Sequence, residues 1–431
     1  MSEFDKVVGY EGIKLELQRI CDVVKYPEKY AKLGVRVPKG LMLEGEPGLG
    51  KTLMATCFIN ECGCKTYTIR KDKPDGDFVK HIKDTYDLAR KEQMAIVFLD
   101  DIDKFANEDK DHCDAEEYVA VQSCIDSCTD NNVFTIATAN ESYKLPDSLK
   151  RAGRFDKVIE IQQPKGSNAQ KIVKHFLKEK QVMKNLDIEE ITRYLEDKSC
   201  AEIESLINEA GIYAGYDGRE RIDKKDILEA ILRDRFGPSL GEENDERIDI
   251  REVAVHEVGH ALVYEMLVPG NVNYISICIN GSQTKGITVY GNMYKESADH
   301  EEVRVTRALG GKAAVEVICG KADAGCQMDI SNAFRCAELL IDDMCTYEFG
   351  SYIRNDSADF SKNNKDRAIR ALIEKKYNLA KQIILENRAL FDAILNELLE
   401  KETLTYKDIA RIRQSVEGSK EEAICRIPLS A

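Results

Sequence analysis

Two histidines four residues apart, with a glutamate beside the first, make His256-Glu257-Val258-Gly259-His260 the most chemically pointed segment of the chain. On a helix, positions four apart share a face, so both imidazoles can bind one metal ion, and zinc suits this donor pair. Glu257 is offset so that its carboxylate can take a proton from a metal-bound water. A catalytic zinc takes three protein ligands and leaves one position open. The chain has six histidines. His81, His112, His175 and His300 are therefore candidates for the third ligand, together with any downstream carboxylate, and spacing does not choose among them.

A second chemistry is written in Gly45-Glu46-Pro47-Gly48-Leu49-Gly50-Lys51-Thr52, which fits G-x-x-x-x-G-K-[ST]. Glycines let the backbone wrap phosphates with its N–H groups, and the helix that follows adds a favourable dipole. Lys51 is expected to neutralise the β- and γ-phosphates of ATP, and Thr52 to offer its hydroxyl to Mg2+. About 50 residues on, Ile96-Val97-Phe98-Leu99-Asp100-Asp101 ends an apolar strand in two carboxylates. Asp100 is placed to hold magnesium, and Asp101 stands where a base for the attacking water is wanted. Asn140, ending a later strand, is expected to contact a γ-phosphate or the water. Arg151 and Arg154 are candidate arginine fingers that reach a neighbouring subunit's nucleotide.

The elements that must position these residues are legible as patterns. Leu41-Met42-Leu43, Ala95 to Leu99 and Val133 to Ala137 read as buried strands separated by helical stretches, which predicts an α/β unit with a parallel sheet. From about Pro164 to Arg235 the signals are helical, with Ile203, Leu206, Ile207 and Ala210 forming a core-facing stripe. The acidic run Gly241 to Glu246 reads as a linker, and Asn107 to Glu117 as a solvated loop. Ile250 to Leu267 is a helical candidate. A small β patch follows, Tyr274 to Ile279 and Ile287 to Tyr290 around a turn at Asn280-Gly281, and the remainder to Val416 is mostly helical.

Composition narrows the class. The chain has 431 residues, enough for about three domains at roughly 150 residues each. Its 62 Lys and Arg against 77 Asp and Glu leave a net charge of -15, which argues against nucleic acid as a partner. No apolar run approaches the ~18 residues of a membrane helix, so no direct membrane insertion is expected. Fourteen cysteines without zinc-ribbon spacing are expected to be reduced, buried and cytoplasmic.

A phosphate-loop ATPase joined to a zinc helix resembles the FtsH family of AAA+ zinc metalloproteases over nearly the whole length. Val7-Val8-Gly9 resembles that family's adenine-pocket segment, Ala137-Thr138-Ala139-Asn140 its first sensor, and Gly153-Arg154-Phe155-Asp156 its arginine-finger region. Asn208-Glu209-Ala210 resembles the helical lid, Gly310 to Ala314 a helix start, and Leu399 to Leu404 the closing helices. Met328-Asp329-Ile330 sits where the family places its third zinc ligand, which makes Asp329 the ligand on resemblance. The resemblance implies a large ATPase subdomain over 1–163, a helical lid over 164–236, a linker over 237–248 and a mostly helical zincin-type protease over 249–431. It also implies a homo-hexamer that uses ATP to unfold, translocate and degrade unfolded or damaged proteins, here without the family's usual N-terminal membrane helices. Two departures stand out. Asp101 occupies a position normally held by Glu, and Phe78 is the aromatic left to grip substrate in an atypical pore loop, Lys73 to Val79. A slowly hydrolysing ATP-binding remodeller, or a peptidase using nucleotide only for assembly, are the alternative expectations.

Overall fold

The computed structural model describes residues 2–71, 77–106, 115–128, 132–184, 186–237, 249–277, 286–291, 297–322, 325–344, 346 and 359–425. The chain forms two compact units, Met1–Ile227 and Leu228–Ala431. The division falls inside the helix Lys224–Phe236, a few residues ahead of the linker expected over 237–248. Of that linker, 238–248 lie outside the described residues, as do the turn at Asn280-Gly281, most of the loop expected from Asn107 and the stretch 72–76 of the expected pore loop.

In the first unit five parallel strands form one sheet: β1 (Gly40–Glu44), β2 (Lys65–Ile69), β3 (Ala95–Leu99), β4 (Val133–Ala139) and β5 (Lys157–Glu160), in the order β2-β3-β4-β1-β5. β1, β3 and β4 carry apolar runs because the interior strands of a parallel sheet are covered on both faces; all five residues of β3 and all seven of β4 are buried. β2 and β5 are the edges. They are short and half polar, Lys65-Thr66-Tyr67-Thr68-Ile69 and Lys157-Val158-Ile159-Glu160, so the sequence alone left them unread. β1 pairs with β4 from Gly40↔Thr135 to Glu44↔Ala139, and β3 pairs with β4 from Ala95↔Val133 to Leu99↔Ala137. This register brings the carboxyl ends of β1, β3 and β4 to one edge, where a parallel sheet places its ligands.

Phe78 corrects the expectation of a substrate-gripping aromatic. It opens the helix Phe78–Ala89, whose inward stripe Phe78, Ile82, Tyr86 and Ala89 is buried. Phe78 is only 5% exposed and packs edge-on against Phe105 with ring centroids 5.2 Å apart. The helical 3.6 period fixes this, because the face that buries Ile82 and Tyr86 buries Phe78 as well. The first unit continues into the helices Ser167–Lys178 and Cys200–Tyr216. The latter is closed at its start by Ser199 and Glu202 in a reciprocal capping box, and its stripe Ile203, Leu206, Ile207 and Ala210 is buried as expected.

The second unit is helical around a three-stranded antiparallel sheet, β6 (Val272–Ser276), β7 (Ile287–Tyr290) and β8 (Thr403–Thr405), in the order β7-β6-β8. β8 interrupts the segment Leu399 to Leu404, which resembles closing helices. The helix Arg388–Lys401 stops at Glu402, which has a positive φ of 61°, and Thr403–Thr405 pairs with β6. The turn is a left-handed helix stop followed by β-branched residues. The central element is the helix Ile250–Leu267, whose residues 257–265 are all buried. It crosses the helix Gly310–Cys319 at near backbone contact: a Cβ on Gly259 would lie 2.5 Å from Gly310 O and from Ala314 Cβ. Gly259 is therefore required between the two histidines by packing. Among the described residues no helix is long and apolar enough to cross a membrane.

Candidate functional site

The second unit holds the metal-ligand cluster. The helix Ile250–Leu267 puts His256 and His260 on one face with their Nε2 atoms 3.0 Å apart. Asp329, in the first turn of the helix Gln327–Glu338, reaches both with its Oδ2, 3.1 Å from His256 Nε2 and 3.3 Å from His260 Nε2. Ligands at ~2.0–2.1 Å around a tetrahedral ion are separated by about 3.3 Å, so the three atoms stand at the spacing of zinc donors. His260 Nδ1 donates to the carbonyl of Arg307 at 2.8 Å, which leaves Nε2 with the lone pair a metal needs. Gly311 keeps the space open; a Cβ there would lie 2.6 Å from both Nε2 atoms. Among the described residues this is the cluster of His, Cys, Asp and Glu able to hold a metal. The donor set and its spacing fit zinc.

The other histidine candidates do not converge here. His81 and His175 belong to the first unit, His300 lies in the helix Ala298–Ala308, and His112 is outside the described residues. The electrostatics favour a charged Asp329. Burial would raise its carboxyl, but hydrogen bonds and positive charge from His256 and His260 outweigh it and hold the group well below the usual carboxylate range. Glu257 is the opposite case. It is 7% exposed, and burial pushes its carboxyl up against the partial opposition of His260, His256 and a hydrogen bond from Thr288. A carboxylate raised toward neutrality is suited to take and return a proton.

The first unit carries the phosphate loop between β1 and the helix Lys51–Cys62. Gly48 and Gly50 take φ of 78° and 86°, the left-handed conformation that lets the loop curl. Lys51 is 5% exposed, and its Nζ donates to the carbonyls of Gly45 and Glu46 at 2.8 and 2.6 Å, folded onto the loop it serves. Burial lowers its amine, opposed by Asp101, Asp103 and Glu46. Thr52 Oγ1 donates to Asp100 Oδ1 at 3.3 Å, which joins the two residues expected to hold Mg2+. Beside them a cavity of about 360 Å³ is walled by Val7, Val8, Tyr10, Gly48, Leu49 and Gly50 on one side and by the lid residues Ile172, His175, Cys200 and Glu204 on the other. Of the expected adenine-pocket pair, Val8 lines this cavity, and Gly9, which does not, turns the chain at φ 73° against Asn168.

Asp101 is held on several sides. Its N–H donates to Thr138 Oγ1 at 2.9 Å, Asn140 Nδ2 donates to its Oδ1 at 3.2 Å, and Lys104 Nζ lies 2.6 Å from its Oδ2. Asp103 in turn accepts from the N–H of Asn140 at 3.1 Å and of Glu141 at 3.3 Å, so it fixes the loop that presents Asn140. Arg151 is exposed. Arg154 grips both carboxylate oxygens of Asp126 at 2.9 and 2.8 Å, and neither arginine lines that cavity.

Residues 41–163 match the family of ATPases associated with various cellular activities, and residues 245–412 match peptidase family M41. ATP-dependent zinc metalloprotease FtsH 1 of Thermomicrobium roseum is 30% identical over 94% of this chain and 67% of its own length. The chain belongs to the FtsH family of ATP-dependent zinc metalloproteases.

FtsH of the aster yellows witches'-broom phytoplasma is 29% identical over 95% of this chain and 63% of its own length. The FtsH of Thermotoga maritima is 29% identical over 95% and 72%. The chain thus spans about two thirds of the FtsH relatives it matches. For an FtsH-family chain, the motifs supplied the zinc helix, the phosphate loop and the acidic strand end. They did not supply Lys104, which meets Asp101 three residues away, nor Cys200, Arg307 or Thr288, which reach their sites through the tertiary fold. Thr138 did leave a signal. It is a fully buried hydroxyl inside an apolar strand, and it donates to Asp100 Oδ1 at 2.9 Å.

Proposed function

We propose that this chain uses ATP to unfold and translocate unfolded or damaged proteins and to cleave them at the zinc site. The observation that carries the proposal is the convergence of His256, His260 and Asp329 at 3.0–3.3 Å with the buried Glu257 alongside. His256, His260 and Asp329 hold zinc. Zinc, when bound, supplies a Lewis acid that acidifies water and polarises the scissile carbonyl. Glu257 takes the proton from the attacking water and returns it to the leaving amine. In the first unit Lys51 and the N–H groups of Gly48 to Thr52 bind the ATP phosphates, Thr52 and Asp100 hold Mg2+, and Asp101 with Asn140 orients the hydrolytic water. Arg151 and Arg154 serve a neighbour's nucleotide in a homo-hexamer. Neither lines the nucleotide cavity of this chain, which supports that assignment, and Arg154 must release Asp126 to act. A cytoplasmic location belongs to the same proposal, supported by a cysteine usage that suits a reducing compartment.

The test is degradation of an unfolded model protein by the zinc-loaded enzyme with and without ATP. Cleavage that requires ATP is expected; cleavage indifferent to ATP would leave a peptidase whose nucleotide serves assembly. One observation favours slow hydrolysis within this scheme. Asp101 is a methylene shorter than Glu, and the Lys104 ammonium 2.6 Å away occupies one of its oxygens. Asp101→Glu is expected to raise the ATPase rate of the order of tenfold by bringing the carboxylate closer to the water. A steady-state ATPase assay showing no gain would remove the attenuating role of Asp101.

A further inference from the structure

Strand β7 runs past the zinc helix and places Thr288 against Glu257. The Thr288 hydroxyl donates to Glu257 Oε2 at 2.6 Å, and the same oxygen lies 3.0 Å from the backbone carbonyl of Glu257. One hydroxyl proton serves one acceptor at a time, and the shorter contact is to the carboxylate, where a charged acceptor makes the stronger bond. Two residues earlier the chain approaches the same side chain. A Cβ on Gly286 would sit 2.7 Å from Glu257 Cγ and 2.9 Å from Oε1. Gly286 therefore lets the start of β7 pack closely against the Glu257 side chain, where any larger residue would collide with it and with Val253 Cγ1 at 2.9 Å.

These contacts divide the labour of one carboxylate. Oε2 is tied to β7 through Thr288, which leaves Oε1 as the oxygen for proton transfer. A carboxylate on two rotatable bonds and a terminal torsion would otherwise sample a broad range of orientations. Its backbone lies on a packed helix, so the remaining freedom is in the side chain, and Thr288 removes it.

We infer that Thr288 is a positioning residue for the peptidase reaction, holding Glu257 through Oε2 so that Oε1 is presented to the reacting water, with Gly286 admitting the close approach of β7 that the contact needs. Thr288 acts through Glu257, the partner of both hydrogen bonds its hydroxyl reaches. The inference rests on Glu257 being the base.

The experiment compares Thr288→Val, which keeps the shape and removes the hydroxyl, with Thr288→Ser, which restores the hydroxyl. It uses the full zinc-loaded chain and a fluorogenic peptide, with kcat and KM measured separately, zinc content determined by elemental analysis and the thermal midpoint recorded. For Thr288→Val, kcat is expected to fall by about tenfold or more while KM stays within about twofold, since base orientation acts in the transition state and not in peptide binding. Zinc content and the thermal midpoint stay at the wild-type values, and Thr288→Ser recovers most of the lost kcat. The assignment is overturned if Thr288→Val turns over like the wild type, if Thr288→Ser is as slow as Thr288→Val, or if the loss follows zinc content or unfolding. Glu257→Gln is assayed alongside. Activity surviving there removes the base role itself, whereas activity lost there but retained in Thr288→Val removes only the role of Thr288.

Discussion

Glu257→Gln is expected to reduce proteolysis by about 10²- to 10⁴-fold, the usual contribution of a positioned general base. The substitution keeps the volume of the side chain and its place against Thr288 but removes the atom that can accept a proton. Glu257 contributes no ligand to the cluster of His256, His260 and Asp329, so zinc content should match the wild type. The nucleotide cavity is built wholly from the first unit, so ATP binding should be unchanged. The measurement is casein degradation in parallel with zinc analysis and nucleotide titration. Full residual proteolysis in a variant that retains zinc would assign the proton transfer to another group.

The second large effect is expected at the other end of the chain. Lys51→Ala removes the one ammonium of the phosphate loop, and the loop's N–H groups and dipole alone must then face the triphosphate charge. ATP affinity should fall by about 100-fold or more, and ATP-driven degradation of a protein substrate should be lost. Hydrolysis of a short peptide, which needs no unfolding, should stay within about twofold of the wild type if the zinc site works unassisted. Nucleotide titration, casein degradation and peptide cleavage on the same preparation separate these outcomes. Wild-type ATP affinity in Lys51→Ala would refute the role given to the loop, and loss of peptide cleavage would show that nucleotide also governs the protease site.

Much of this architecture was readable because its parts are local. A helix carries His256 and His260 to one face whatever surrounds it, and a strand–loop–helix with Gly48, Gly50 and Lys51 wraps phosphate by backbone geometry alone. The interior strands announced themselves as apolar runs because a parallel sheet buries both faces. The edges β2 and β5 did not, since half of each meets solvent. β8 was hidden because three residues are too few to show a period of two, and the helix beside it runs to within two residues of it.

The misplaced residue is instructive in the same terms. The resemblance makes Phe78 the aromatic of an atypical pore loop, but a helix period that buries Ile82 and Tyr86 carries it into the core beside Phe105. Periodicity across the following helix held the signal, while the local motif did not.

The sequence by itself determined the chemistry: which side chains bind zinc and phosphate, and that a helix and a loop present them. Those are matters of residue type and short spacing, which backbone geometry turns into position within a few residues. Which distant groups complete each site was left open by spacing alone, Asp329 being named on resemblance, and the tertiary structure brings them together. Asp329 meets His256 across 73 positions of sequence, Thr288 meets Glu257 across 31, and Asn140 meets Asp101 across 39. Such pairings leave no periodic trace, because they depend on how whole elements pack. The close crossing of Gly259 on Gly310 and the register of β3 against β4 set the distances that the chemistry requires.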